Sequence, residues 1–246
     1  MKLYDEFIKS SLALLEGQPG RRLSVPRASE SWPDAGNNNL ILRSEMAYEL
    51  GGGNLPAVSG IGFTSSDSLV GDNELWLYGP DLPELQKDSP YARITLLRVV
   101  EEGLGEEDAA VYAAIRKIEH TRYHINPVGY MTRISVTSER EPVRVSRKAL
   151  KEGLDFAKVG GLFLSGYQQY EKVIAAKLIF ISLPDFPYDE LEKQARQAEK
   201  ITMALDHILG NLKMDCSTCN LKPICDEVEG IRELHFSKTV DTPHDI

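Results

Sequence analysis

The chain has 246 residues, of which 42% are hydrophobic and 26% are charged. This balance is typical of a soluble globular protein with one large domain or two small ones, and it excludes the disordered, collagen-like and disulfide-dense classes. Because 28 basic residues stand against 37 acidic ones, the net charge is −9, and we expect the chain to repel nucleic acids and anionic membranes.

Two further observations concern the location of the protein. No stretch reaches the ~18 apolar residues of a membrane span, and the most apolar run, residues 173–183, contains Lys177. Asp5 and Glu6 stand where a signal peptide carries basic residues. We therefore expect a cytoplasmic protein with neither a membrane nor a nucleic-acid partner.

The first part of the chain predicts a helix followed by a long connection. Residues 1–16 have the apolar spacing of a short amphipathic helix. Residues 17–39 are rich in glycine, proline and small polar residues, which is typical of a loop, and Arg21, Arg22 and Arg27 make this loop basic. We expect residues 1–39 to form an N-terminal helix and basic loop ahead of the main domain.

The next segment predicts two strands separated by loops. Apolar and β-branched residues indicate strands over 40–50 and 74–78. The three glycines at 51–53 predict a turn, because the lysine followed by serine or threonine of a phosphate-binding loop is absent. Residues 54–73 are small and polar, and we expect a loop there.

From residue 94 onward, strands and helices alternate. Apolar runs predict strands over residues 94–100, 128–137, 156–164 and 173–183. Helical spacing predicts helices over residues 106–119, 146–154 with Ser146 as the N-cap, and 188–209. We expect an α+β fold, with a mixed sheet packed by helices over residues 40–210 and a C-terminal cysteine-rich knuckle over residues 211–246.

The three cysteines of the chain lie within ten residues, at Cys216, Cys219 and Cys225. Their odd number and the absence of a secretory signal argue against a disulfide framework. The spacing C-x2-C-x5-C instead indicates a metal site, because thiolates select zinc, copper(I) or iron–sulfur clusters. The fourth ligand is open: Asp215, Asp226, His207, His235, a partner subunit and an exogenous molecule all fit.

The identity of the metal is also open on the residues alone. Three closely and unevenly spaced cysteines favour a 4Fe–4S cluster. Zinc is the alternative, although structural zinc sites usually show a second ligand pair, and free thiols without metal are the third possibility. His120 and His124 could chelate a metal at i,i+4, but we expect a surface pair at the end of a helix, because the glutamate of a zinc-protease motif is missing.

Residues 116–151 are basic within this acidic chain. They contain arginines and lysines at Arg116, Lys117, Arg122, Arg133, Arg140, Arg144, Arg147, Lys148 and Lys151. Guanidinium groups match phosphate and carboxylate geometry, so a phosphorylated ligand or a partner could dock there. The alternative is a solvated face balanced by Glu119, Glu139 and Glu141.

Several of these segments carry a family resemblance. The stretches LYGPDLPEL at 77–85, IRKIEH at 115–120, VRVSRKALKEG at 143–153 and LIFIS at 178–182 precede a long charged helix and a C-x2-C pair. In this order, residues 72–183 resemble the middle domain of the β subunit of the carbon monoxide dehydrogenase/acetyl-CoA synthase complex. In that family the C-x2-C pair opens the nickel–iron–sulfur active site, and Cys216 and Cys219 occupy its place.

The resemblance implies a role in anaerobic one-carbon metabolism. It further implies contacts to coenzyme A through Arg144 and Arg147, although Pro142 stands where the family has a tryptophan. The chain contains no Cys-Gly-Cys, which holds nickel in the family. We therefore expect an accessory or orphan subunit, with carbon monoxide dehydrogenase or corrinoid-protein subunits, or a second copy of itself, as partners.

Overall fold

A computed structural model describes residues 3–27, 30–100, 108–133 and 139–209, with backbone only at 108–112 and 206–209. The helices are α1 (Asp5–Ala13), α2 (Asp108–His120), α3 (Arg147–Lys151), α4 (Phe156–Tyr167) and α5 (Tyr188–Leu209). The strands are β1 (Gly20–Leu23), β2 (Met46–Leu50), β3 (Ala57–Thr64), β4 (Glu74–Tyr78), β5 (Tyr91–Val99), β6 (Tyr130–Thr132), β7 (Val143–Ser146) and β8 (Val173–Ile181). No helix among them is long and apolar enough to cross a membrane.

The main sheet has five strands in the order β1-β4-β8-β5-β3. It is mixed, because β4 pairs parallel with β8 and β3 parallel with β5, whereas β8 and β5 are antiparallel. The central strand β8 is nearly all apolar and is buried from Leu178 to its end at Ile181, as expected for a strand covered on both faces. The predicted α+β fold with a mixed sheet packed by helices is confirmed.

Helices cover both faces of this sheet. On one face, α4 lies so close to β4 and β8 that a Cβ atom at Gly160 would stand 2.7 Å from Leu75 and 3.1 Å from Phe180. On the other face, Gly60 and Gly62 of β3 leave room for the ring of Phe7 from α1. Helix α5 packs against both α1 and β3, so the core runs through both layers.

A second sheet of three antiparallel strands, β2-β7-β6, stands beside the first. The two sheets are joined by residues 139–141, which hydrogen-bond to β3 through Ser59 N–H to Glu139 O and Glu141 N–H to Ala57 O and then continue into β7. The first residues of β3 are therefore paired on their outer edge, and the segment holds Glu139 and Glu141 against the main sheet.

Four predicted features match the structure well: helix α5, the cap of α3, strand β4 and the glycine turn. Helix α5 spans the predicted residues 188–209, and the first five apolar residues of its predicted stripe are buried, from Leu191 to Leu205. Ser146 caps α3, as predicted, by accepting a hydrogen bond from Ala149 N–H. Strand β4 has the predicted bounds, and Gly51 and Gly53 form a turn with positive φ angles of 64° and 59°.

Three predictions of secondary structure are wrong. Residues 156–164 form helix α4 rather than a strand, because Asp155 caps the helix by accepting from Lys158 N–H at 2.8 Å and the buried residues recur at helical spacing. Residues 54–73 contain β3, a fully buried strand, rather than only a loop. The long connection at 17–39 contains the edge strand β1, which pairs with β4.

Two predicted strands are shorter than expected. The strand predicted over 40–50 begins only at Met46, because the backbone of residues 43–45 turns before it. The strand predicted over 128–137 is described only as Tyr130–Thr132, and residues 134–138 lie outside the described part of the chain.

Candidate functional site

The three predicted metal ligands, Cys216, Cys219 and Cys225, lie outside the described residues. Within the ranges that the structure describes, no group of three or more His, Cys, Asp or Glu side chains could hold a metal ion. The described chain ends with α5 at Leu209, seven residues before Cys216.

The position of α5 is fixed by contacts along its length. In its first half, Arg196 Nε lies 3.1 Å from a carboxylate oxygen of Glu139, beside the first residues of β3. Further along, Thr202 Oγ1 hydrogen-bonds the Tyr4 hydroxyl at 2.9 Å, and the Tyr4 ring meets Phe63 near the end of β3 edge-on, 5.5 Å between centroids. The helix therefore runs along β3 toward the carboxyl end of that strand.

The two predicted coenzyme A contacts, Arg144 and Arg147, bind the polypeptide itself. Arg144 Nη1 donates to Ile41 O at 3.0 Å, and its Nε lies 3.7 Å from Glu49 Oε1. Arg147 donates to Ser44 O at 3.3 Å and to Met46 O at 2.9 Å. Both guanidinium groups therefore hold the segment that leads into β2.

Other arginines of the basic segment 116–151 are also bonded internally. Arg140 donates to the main-chain oxygens of Gly51, Gly53 and Leu55 at 2.9–3.2 Å, so it ties down the glycine turn. Arg133 Nη1 lies 2.5 Å from Glu49 Oε1. Of the partners predicted for a solvated face, Glu139 pairs instead with Arg196 of α5.

Two glutamates of this segment form a buried charge cluster with arginines. Glu141 binds Arg93 of β5, and the two side chains are only 6% and 2% exposed. Arg122 approaches Glu141 at 3.7 Å and Glu119 at 3.4 Å, and it is itself buried. Glu119 makes a closer contact of 2.6 Å with the half-buried Arg116. The alternative of a solvated face, which the sequence left open, is therefore wrong for Glu119 and Glu141, whose carboxylates are buried.

Aromatic side chains enclose this cluster, which we call the Arg93 cluster: Arg93, Arg122, Glu119 and Glu141. The Phe163 ring of α4 lies 4.1 Å from Arg93 Cζ, in cation–π geometry. The hydroxyls of Tyr91 and Tyr130 hydrogen-bond each other at 2.5 Å. Burial raises the pKa of Tyr167 to about 12, and it also raises the pKa of Tyr91 and of Tyr130 above the ordinary value of 10.0.

Arg93 was not among the residues predicted from the sequence, because its partner Glu141 lies 48 positions away. One signal was present. Arg93 is a charged residue inside a strand that is buried over most of its length, and such a residue needs a buried partner. The pairing of residues 139–141 with β3 determines which residue that partner is. No local sequence pattern predicts this pairing.

His120 and His124 behave as predicted for a surface pair. Helix α2 ends at His120, both side chains are exposed, and the His120 ring packs edge-on against Tyr123 at 5.9 Å.

The chain matches no protein-family model and no curated protein. The resemblance to the acetyl-CoA synthase β subunit therefore depends on the motifs quoted above.

Proposed function

We propose that this chain is an acetyl-CoA-synthase-like accessory subunit of anaerobic one-carbon metabolism, and that Cys216, Cys219 and Cys225 hold a 4Fe–4S cluster. The observation that carries the proposal is the C-x2-C-x5-C window, which contains every cysteine of the chain. Three thiolates fit a cluster whose remaining iron takes a non-thiol ligand or a partner. Partners of the chain would be carbon monoxide dehydrogenase or corrinoid-protein subunits in the cytoplasm, or a second copy of itself.

The described domain supports a scaffold role in this proposal. Its long helix α5 is anchored by Tyr4 and Glu139, so the position of this helix, which ends seven residues before Cys216, is fixed on the sheet. Arg133, Arg140, Arg144 and Arg147 are engaged with carboxylates and main-chain oxygens of the same chain. Arginines that already have partners within the chain are less available to bind a phosphorylated substrate, which favours a scaffold role for the domain in this proposal.

Coenzyme A binding through Arg144 and Arg147 stays a prediction of the resemblance. To bind a phosphate of coenzyme A, Arg147 would have to release the oxygens of Ser44 and Met46, and Arg144 that of Ile41. Each exchange replaces an existing hydrogen bond, so its net gain is small. We therefore leave coenzyme A out of the proposed function.

The test is the metal and acid-labile sulfide content of the full chain purified without oxygen. We expect iron and sulfide in near-equal amounts, together with a broad visible band of thiolate-ligated clusters. Cys219→Ser should lose both, whereas the neighbouring Thr218→Ser, which removes no thiolate, should keep them.

The alternative result has a definite meaning. Zinc without sulfide, lost in Cys219→Ser, would replace the proposal by a non-catalytic binding module with a structural zinc knuckle and a basic docking face. A chain without metal, or with the same iron content in both variants, would contradict the proposal.

A further inference from the structure

Two leucines are exposed on the segment that leads into β2. Leu40 and Leu42 are 72% and 53% exposed, the highest values among the large apolar side chains of the described residues. Ile41 between them is buried, so the alternation of an extended chain turns both leucines to the same side. Single exposed leucines are common on protein surfaces, whereas neighbouring ones form an apolar patch of the kind that marks interaction sites. We call Leu40 and Leu42 the leucine patch.

The backbone that carries the leucine patch is held in place on both sides. Before it, Asn39 donates to Tyr130 O at 2.8 Å. Within it, Ile41 O accepts from Arg144 at 3.0 Å, and just after it Arg147 donates to two main-chain oxygens. A surface that is already ordered loses less conformational entropy when a partner binds, so this segment is suited to an interface.

The surroundings of the leucine patch are basic, although the chain as a whole has a net charge of −9. Residues 39–49 and 143–152, which contain the paired strands β2 and β7, together carry five basic and three acidic side chains. One of the three acidic side chains, that of Glu49, is buried. Arg43, which directly follows the patch, and Arg147 are both exposed. A partner with a complementary potential would therefore be acidic.

We infer that the leucine patch docks against an acidic surface of another protein, whose carboxylates meet Arg43 and Arg147 around the apolar contact. A second copy of the chain fits less well, because a two-fold axis through the patch would bring the same cations together. An anionic membrane also fits less well, because the net charge of −9 opposes its approach. The inference goes beyond the proposed function and does not depend on the cysteine window.

The first experiment locates the partner by cross-linking. The full chain with Arg43→Lys, which keeps the charge and places an amine next to the leucine patch, is isolated from its native cells at low ionic strength and treated with a carbodiimide. This reagent joins an amine to a carboxylate in contact with it. We expect a link from position 43 to an aspartate or glutamate of a second protein. Lys193 of α5, which is 68% exposed, is the matched control and should form no link to that protein.

The second experiment measures how much the leucines contribute to binding. Leu40→Ser combined with Leu42→Ser should weaken the complex with the cross-linked protein by about tenfold or more, because the apolar contact is lost. The midpoint of thermal unfolding should change by less than about 2 °C, because both side chains are already exposed in the folded protein. The control is Ile174→Ser, which removes an apolar side chain that is 47% exposed on β8 and should leave the affinity unchanged.

Several results would overturn the inference. These are the absence of a link from position 43 to a second protein, and an equal affinity of the double leucine variant and the unaltered chain. Dimers of the chain alone that the double variant dissociates would assign the patch to a second copy, and leucine-dependent binding to phosphatidylglycerol vesicles would assign it to a lipid surface. Iron and sulfide content should be the same with and without the leucines, so these outcomes leave the test of the cysteine window independent.

Discussion

Arg93 and Glu141 illustrate at the scale of single residues how this fold handles charge. Both lie within the protein, with side chains only 2% and 6% exposed. Removal from water costs each ion several kcal/mol, which their attraction offsets only when the geometry is good and the remaining donors are satisfied. The pair is therefore better described as a device that fixes residues 139–141 against β5 than as a source of net stability.

This arrangement makes a prediction for Glu141→Gln. The substitution keeps the size of the side chain but leaves the Arg93 guanidinium buried without its counter-charge. We expect the free energy of unfolding to fall by about 3–5 kcal/mol, measured by urea denaturation at neutral pH.

Glu152→Gln is the matched control. Its ion pair with Lys148 is exposed, with side chains 51% and 84% accessible, so we expect a loss below about 0.5 kcal/mol. Equal losses in the two variants would show that Glu141 contributes no more than a surface charge.

At the scale of elements, helix α4 shows why the strand predicted over residues 156–164 was wrong. The run from Phe156 to Leu164 is apolar and rich in aromatic residues, which is as typical of a buried strand as of a buried helix. The helical solution depends on Asp155, whose side chain caps the first turn, and on Gly160, which admits close approach to Leu75. Neither feature decides between a helix and a strand unless the position of the sheet beneath is known.

The prediction for the residues of β3 was wrong for the opposite reason. Ser59, Gly60 and Gly62 gave its segment the composition of a loop, yet all its residues are buried. The glycines are there because the ring of Phe7 occupies the space that their side chains would fill. By contrast, helix α5 was predicted with its bounds, because a long amphipathic period with charged residues on its outer face has few alternatives.

The glycine turn after β2 provides a prediction at this scale. Gly51 and Gly53 both have positive φ, which costs a residue with a Cβ atom about 1–2 kcal/mol. A Cβ atom at Gly51 would also collide with Ala57 Cβ and stand 2.9 Å from Pro56 O, whereas one at Gly53 would meet nothing within 4 Å.

We therefore expect Gly51→Ala to lower the free energy of unfolding by about 2–4 kcal/mol, from strain and overpacking together. Gly53→Ala is the control, and we expect it to lower the free energy of unfolding only by the backbone strain of about 1–2 kcal/mol. The measurement is urea denaturation of both variants, and an equal loss would mean that the collision at Ala57 is relieved without cost.

At the scale of the whole molecule, burial of tyrosines links stability to alkaline pH. Burial raises the pKa of Tyr48, Tyr91, Tyr130, Tyr167 and Tyr188 above the ordinary value of 10.0, to about 12 for Tyr167. A folded-state pKa above the unfolded one contributes stability that is complete below pH 10 and is lost as pH rises toward the folded value.

We therefore expect the free energy of unfolding to decline between pH 10 and pH 12. Each tyrosine that is ionised in the unfolded chain but still protonated in the folded protein lowers it by about 1.4 kcal/mol for every further pH unit. Tyrosinate absorbance and circular dichroism, followed together through this range, check the prediction. Ionisation of these five tyrosines should coincide with loss of the circular dichroism signal. Their ionisation in a folded protein would contradict it.

The two candidate sites differ in how far the sequence alone can predict them. The basic composition of residues 116–151 was correctly seen, but the partners of its arginines come from other parts of the chain, such as Ile41, Glu49 and the glycine turn. The local sequence shows that an arginine is present, but it does not show which groups that arginine contacts. The cysteine window is different, because its ligands are close in sequence and their spacing alone suggests a shared metal.

The position of β8 has a consequence for how the protein is made. It is the last strand of the main sheet to be synthesised, yet it lies in the middle, between β4 and β5. Until residue 181 has emerged from the ribosome, β1–β4 and β3–β5 are two separate pairs, each with an open edge. Open strand edges in a nascent chain are prone to aggregation, and we expect the main sheet to form only after β8 has emerged and paired with both β4 and β5.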